Sequence, residues 1–124
     1  MVQRILIVDD EPNIVISLEY LMKREGYEVR CAADGDAALD ALAREVPDLV
    51  ILDVMLPKRS GFDVCQQIRA DSRWPGLKIL MLTAKGRGTE VAKGLRLGAD
   101  AYVTKPFSTK DLVAQVRQLL GRPA

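Results

Sequence analysis

The chain has 124 residues, enough for one domain with a core of its own. At 48% apolar and 28% charged it has the composition of a folded globular chain, and 18 basic against 17 acidic side chains leave a net charge of +1, no general field for nucleic acid or an anionic membrane. Histidine is absent, which excludes a self-contained Ser-His-Asp or Cys-His catalyst, a His-ligated metal and an imidazole base.

Short apolar runs alternate five times with amphipathic stretches. Ile5-Leu6-Ile7-Val8 reads as a strand buried on both faces. A helix over 13–25 follows, with Ile14, Leu18, Leu21 and Met22 inward and Gly26 closing it. Residues 27–31 alternate as a second strand nearer an edge. The second helix, 34–45, turns Leu39, Leu42 and Val46 inward until Pro47 blocks it. Leu49-Val50-Ile51-Leu52 is the third strand, and Ser60 caps a third helix, through Ala70, that buries Val64, Cys65 and Ile68. Ile79-Leu80-Met81-Leu82 is the fourth strand. A weaker helix over 88–97 carries Val91, Ala92 and Leu95 and ends at Gly98. Residues 101–103 form a short fifth strand. Ser108 caps the last helix, with Leu112, Val116, Leu119 and Leu120 on one face and Gly121 at its close. This (βα)₅ pattern predicts an α/β, doubly wound, flavodoxin-like parallel sheet of order 2-1-3-4-5, its ligand crevice at the carboxyl ends of strands 1 and 3.

Cys31 and Cys65 show no CxxC spacing and read as reduced, partly buried thiols. No apolar run has the length of a membrane span, and the start leaves no room for a signal peptide, so a cytoplasmic location is expected. Residues 1–121 are expected to form one domain, with 122–124 a short tail and no further domain attached.

The chemistry gathers at the strand ends. Strand 1 runs into Asp9-Asp10-Glu11, strand 3 into Asp53, strand 4 into Thr83 and strand 5 into Lys105. Taken singly, each has a structural reading: Asp9 to Glu11 as caps of the following helix, Asp53 as a strand-end cap, Thr83 as a turn cap and Lys105 as a counter-ion. Together, carboxylates at adjacent strand ends repel one another unless a proton or a cation lies between them, and oxygen donors without His or Cys suit Mg²⁺. A divalent metal, an ammonium and a hydroxyl are also what a transferred phosphoryl group requires, and a carboxylate can be its nucleophile. The small Ala84 leaves room for phosphoryl oxygens.

Five motifs carry a resemblance that spans essentially the whole chain: Ile7-Val8-Asp9-Asp10-Glu11, Leu52-Asp53-Val54-Met55-Leu56-Pro57 with Ser60-Gly61, Leu82-Thr83-Ala84, Gly98-Ala99-Asp100-Ala101-Tyr102 and Lys105-Pro106-Phe107. The chain resembles the receiver domains of two-component response regulators. The resemblance implies that Asp53 is the phosphoacceptor. Asp10 and Asp53 with the backbone carbonyl of Met55 would hold Mg²⁺, and Asp9 would orient the metal or its waters. Thr83 and Lys105 would contact phosphoryl oxygens, a cis peptide would join Lys105 to Pro106, and Tyr102 would be the switch aromatic that follows Thr83. The implied donor is a sensor histidine kinase or a histidine phosphotransfer protein. The implied readout is a change in the surface of helix 4, strand 5 and helix 5 that regulates an output partner, with the loop Lys85-Gly86-Arg87-Gly88 free to move. Direct nucleic-acid or membrane binding is not implied.

Departures narrow this. Val91, Ala101 and Gln115 replace the basic, acidic and basic residues of the charged dimer face found beside winged-helix output domains, although Asp111 keeps its acidic type. A monomer, or a weak phosphorylation-dependent dimer, is expected. A dinucleotide loop at Gly86-Arg87-Gly88 fails because Val91 stands where the third glycine belongs, and no GxxxxGK[ST] loop exists. Met55 occupies the place of the second Asp of an aspartate-nucleophile phosphatase. The remaining alternative is a receiver-like scaffold that binds partners without phosphorylation.

Overall fold

In the computed structural model the described residues are 2–84 and 88–121. Lys85, Gly86 and Arg87, invoked for loop freedom and for the dinucleotide reading, and the tail 122–124 lie outside them. The elements run β1 (Arg4–Val8), α1 (Pro12–Arg24), β2 (Glu28–Ala32), α2 (Gly35–Arg44), β3 (Leu49–Asp53), α3 (Gly61–Ala70), β4 (Lys78–Ala84), α4 (Gly88–Arg96), β5 (Ala101–Lys105) and α5 (Thr109–Leu119). All strand pairs are parallel and the order is β2-β1-β3-β4-β5. Right-handed crossovers from continuous apolar strands produce this arrangement, with helices covering both faces. Among the described residues no helix is long and apolar enough to cross a membrane.

Alternation along the strands divides the core in two. Leu6, Val8, Val50, Leu52, Ile79 and Met81 face α2 and α3, whereas Ile5, Ile7, Leu49, Ile51, Leu80 and Leu82 face α1 and α5. The caps follow the sequence. Asp34 accepts from the Ala37 N–H at 2.8 Å, Ser60 from Asp63 at 3.2 Å and Ser108 from Asp111 at 3.3 Å. Gly26 closes α1 at φ 92°, a conformation costly for a side chain with a Cβ.

Two expectations are corrected, and the packing of α4 adds a third feature. Val46 is 47% exposed, because α2 ends at Arg44 and the backbone of Glu45 is already extended. Cys31 is exposed on the edge strand, and only Cys65 is buried. On α4, Ala92 and Leu95 face outward, Val91 is half-buried, and the one buried residue is Gly94. A Cβ at Gly94 would lie 2.8 Å from Met81 Sδ, so the absence of a side chain is what lets α4 approach the sheet. Hydrophobic periodicity does not point to a glycine as the contact surface of a helix.

The ends of the fold are tied by Arg69. Its guanidinium donates to the carbonyls of Gly98 (2.8 Å) and Leu77 (2.6 Å) and pairs with Asp100 (2.7 Å), joining α3 to the segments that lead into β4 and β5.

Candidate functional site

Register brings the polar strand ends to one rim. Val8 lies opposite Ala32 and Leu52, Asp53 opposite Leu82, and Ala84 opposite Lys105. The residues that follow Val8, Leu52 and Leu82 therefore emerge side by side.

Asp9 is buried, and its Oδ1 accepts the Glu11 N–H at 2.9 Å, forming the turn that leads into α1. Asp53 is 4% exposed, and its Oδ1 accepts the Met55 N–H at 3.4 Å. Asp10 is exposed. One oxygen from each of Asp9, Asp10 and Asp53 lies within 4.8 Å of the others, a group that could hold a metal ion. Lys105 Nζ reaches in from β5 to Asp9 Oδ2 at 2.9 Å, Glu11 Oε1 at 3.3 Å and Asp53 Oδ2 at 3.4 Å. The peptide bond between Lys105 and Pro106 is cis.

Burial pushes the Asp53 carboxyl up to about 6, and the charge of Asp9 adds to the rise, while Lys105 and the Met55 N–H oppose it. Burial works to lower the Lys105 ammonium, but its hydrogen bond to Asp9 and the charges of Asp53 and Asp9 outweigh that and leave it raised. The site thus carries more negative charge than one lysine balances. Its donors are hard oxygens without nitrogen or sulfur, the chemistry that suits Mg²⁺. The Met55 side chain is 67% exposed at the mouth.

Thr83, one position past Leu82 on β4, is buried, and among the described residues its hydroxyl has no hydrogen-bond partner. An unpaired buried hydroxyl is a standing cost. Thr83→Val removes the hydroxyl at similar shape, so the metal-free protein should gain about 1 kcal/mol of stability in urea unfolding. Thr83 also lines a small crevice with Met81, Gly94, Leu95 and Tyr102, and Tyr102 is 42% exposed at its outer edge.

Gly61 packs against the backbone of β3 at the site. It opens α3 directly behind β3, and its N–H donates to the Val54 carbonyl at 2.9 Å. A Cβ there would lie 2.2 Å from the Asp53 carbonyl oxygen. In the sequence Gly61 stands out only as part of the Ser60-Gly61 motif, which says nothing of the strand backbone it touches.

Residues 5–117 match the family described as response regulator receiver domain. The chain belongs to that family. A receiver-fold protein from Chloroflexus aurantiacus J-10-fl, assigned to the response regulators, is 38% identical over 98% of this chain and 100% of its own, with a TM-score of 0.95. The chemotaxis response regulator CheY4 of Vibrio cholerae is 30% identical over 96% of this chain and 99% of its own, with a TM-score of 0.90. NtrX from Brucella abortus is 31% identical over 98% of this receiver but only 27% of its own length, with a TM-score of 0.90. Receiver domains of two-component systems are signalling phosphoacceptors rather than classical enzymes, work with histidine kinases and output domains, and typically bind Mg²⁺ at an acidic pocket. In this chain Asp9, Asp10 and Asp53 form a group of acidic residues that could hold a metal ion.

Proposed function

We propose that residues 1–121 act as a phosphorylation-switched receiver, with Asp53 accepting the phosphoryl group from a histidine of a sensor kinase or phosphotransfer protein in the cytoplasm. The observation that carries this reading is the buried Asp53 carboxylate with the Lys105 ammonium 3.4 Å away and the Asp9 and Asp10 oxygens beside it. An Asp53 oxygen attacks phosphorus, the P–N bond to the donor imidazole breaks, and the electron pair leaves with that imidazole; the product on this chain is an acyl phosphate. Asp9, Asp10, Asp53 and the backbone carbonyl of Met55 would hold Mg²⁺, which supplies charge neutralisation for the carboxylates and the incoming phosphoryl oxygens. Lys105 binds one phosphoryl oxygen. Thr83, whose hydroxyl has no partner among the described residues, donates to another.

That donation draws Thr83 toward Asp53 and opens the crevice beneath Tyr102, so the aromatic ring turns in and α4 resettles on Gly94. The surface of α4, β5 and α5 then regulates an output partner, which NtrX, as a longer chain, suggests can be joined in the same polypeptide. With Val91, Ala101 and Gln115 on that surface, the receiver works as a monomer or a weak phosphorylation-dependent dimer.

The test is incubation with a small-molecule phosphodonor with and without Mg²⁺, read by intact mass. Wild type should gain one acid-stable, base-labile phosphoryl group only with Mg²⁺, and Asp53→Asn none. Absence of any Mg²⁺-dependent gain in wild type would favour a scaffold that binds partners without phosphorylation.

A further inference from the structure

Glu11 closes the acidic run after β1 and is the N-cap residue of α1, where a carboxylate usually accepts a hydrogen bond from the first turn of the helix. Its side chain makes no such bond. Instead Oε1 lies 3.3 Å from the Nζ of Lys105, 94 positions away in sequence. The ammonium therefore sits among three carboxylates, and they are not equivalent. Asp9 and Asp53 are buried and belong to the group that could hold a metal ion, whereas the Glu11 side chain is 61% exposed and stands outside it. A cation bound among Asp9, Asp10 and Asp53 weakens the hold of Asp9 and Asp53 on Lys105 by neutralising them. Glu11 keeps its charge.

We propose that Glu11 is a positioning residue that holds the Lys105 ammonium at the rim and competes for it with an anion on Asp53. It deepens, and rests on, the reading of Asp53 as phosphoacceptor. Glu11 thereby weights the equilibrium toward the unmodified state, and the ammonium must be shared or surrendered when a phosphoryl group arrives.

The test is the affinity for beryllofluoride, a phosphoryl mimic, at saturating Mg²⁺, measured by calorimetry on the whole chain. Glu11→Gln should bind two- to five-fold more tightly, about what an exposed ion pair supports. In a Lys105→Met background the same substitution should have no effect, since the coupling runs through the ammonium. Unchanged or weaker binding by Glu11→Gln overturns the proposal. So does equal tightening in the Lys105→Met background, which would place the effect in the charge of Glu11 alone. If Lys105→Met binds too weakly to titrate, the NMR signal of the Lys105 ammonium in the free protein decides: Glu11→Gln must shift it, and an unmoved signal overturns the proposal. Wild type that binds no beryllofluoride would instead defeat the phosphoacceptor reading, and the ammonium signal would still decide whether Glu11 holds Lys105.

Discussion

Asp53→Asn will make the metal-free protein more stable and flatten its pH profile between about 4 and 6. The carboxyl titrates at about 6 in the folded chain against a reference of 3.8, so between those values the folded state binds more protons than the unfolded one. Unfolding free energy then falls as pH rises through that window. Below it Asp53 is protonated in both states and no penalty exists; above it the full penalty is present. With allowance for relaxation and water access, the penalty is about 1–3 kcal/mol, and the Asn variant should recover it at neutral pH. Thermal unfolding at several pH values in chelator checks this, the wild-type and variant curves converging at the acid end. Added Mg²⁺ should raise the wild-type midpoint and move the Asn variant far less, because a ligand that binds only the folded state stabilises it in proportion to its affinity. A variant no more stable than wild type at neutral pH would mean that Lys105 fully balances the buried carboxylate.

Gly61→Ala is expected to be the most damaging single-methyl change near the site. Its Cβ would meet the Asp53 carbonyl oxygen at 2.2 Å and the Asp53 carbonyl carbon at 2.9 Å. Both are backbone atoms of a central strand, so no flexible side chain can yield. The expected loss is about 3 kcal/mol in urea unfolding, the upper part of the usual range for overpacking, because the neighbours are backbone atoms. Because relief requires moving the Asp53 backbone, phosphoryl acceptance should fall as well, even where the variant remains folded. Gly76→Ala is the control: nothing lies within 4 Å of a Cβ there, and both stability and acceptance should stay near wild type. Equal behaviour of the two variants would show that the β3 to α3 turn has slack.

The strands and helices were legible because their causes are local. Ile5 to Val8 and Leu49 to Leu52 are continuous apolar runs, so they read as two-sided strands, and Ser60 and Ser108 announced the helices they cap. The sequence was silent where an element is held by something other than apolar periodicity. Gly94 seats α4 by having no side chain, and Leu95, apolar and at helical spacing, is 44% exposed on the face where an output partner would bind. The polar strand ends were likewise legible as a set, since each lies at or just past the carboxyl end of a strand and parallel register delivers all of them to one rim.

What the sequence by itself determined is the alternation, the strand order it implies, and the identity of the acidic, hydroxyl and ammonium groups at the rim. Only the tertiary structure decided how those groups share their charges. That Asp53 is pushed up by burial and by Asp9, that Thr83 is buried with its hydroxyl unpaired among the described residues, and that Glu11 leaves its helix for Lys105 are consequences of parallel register and crossover packing. Residues 94 positions apart meet because β1 and β5 end at the same rim, a relation set by the whole sheet and not by any local stretch of chain.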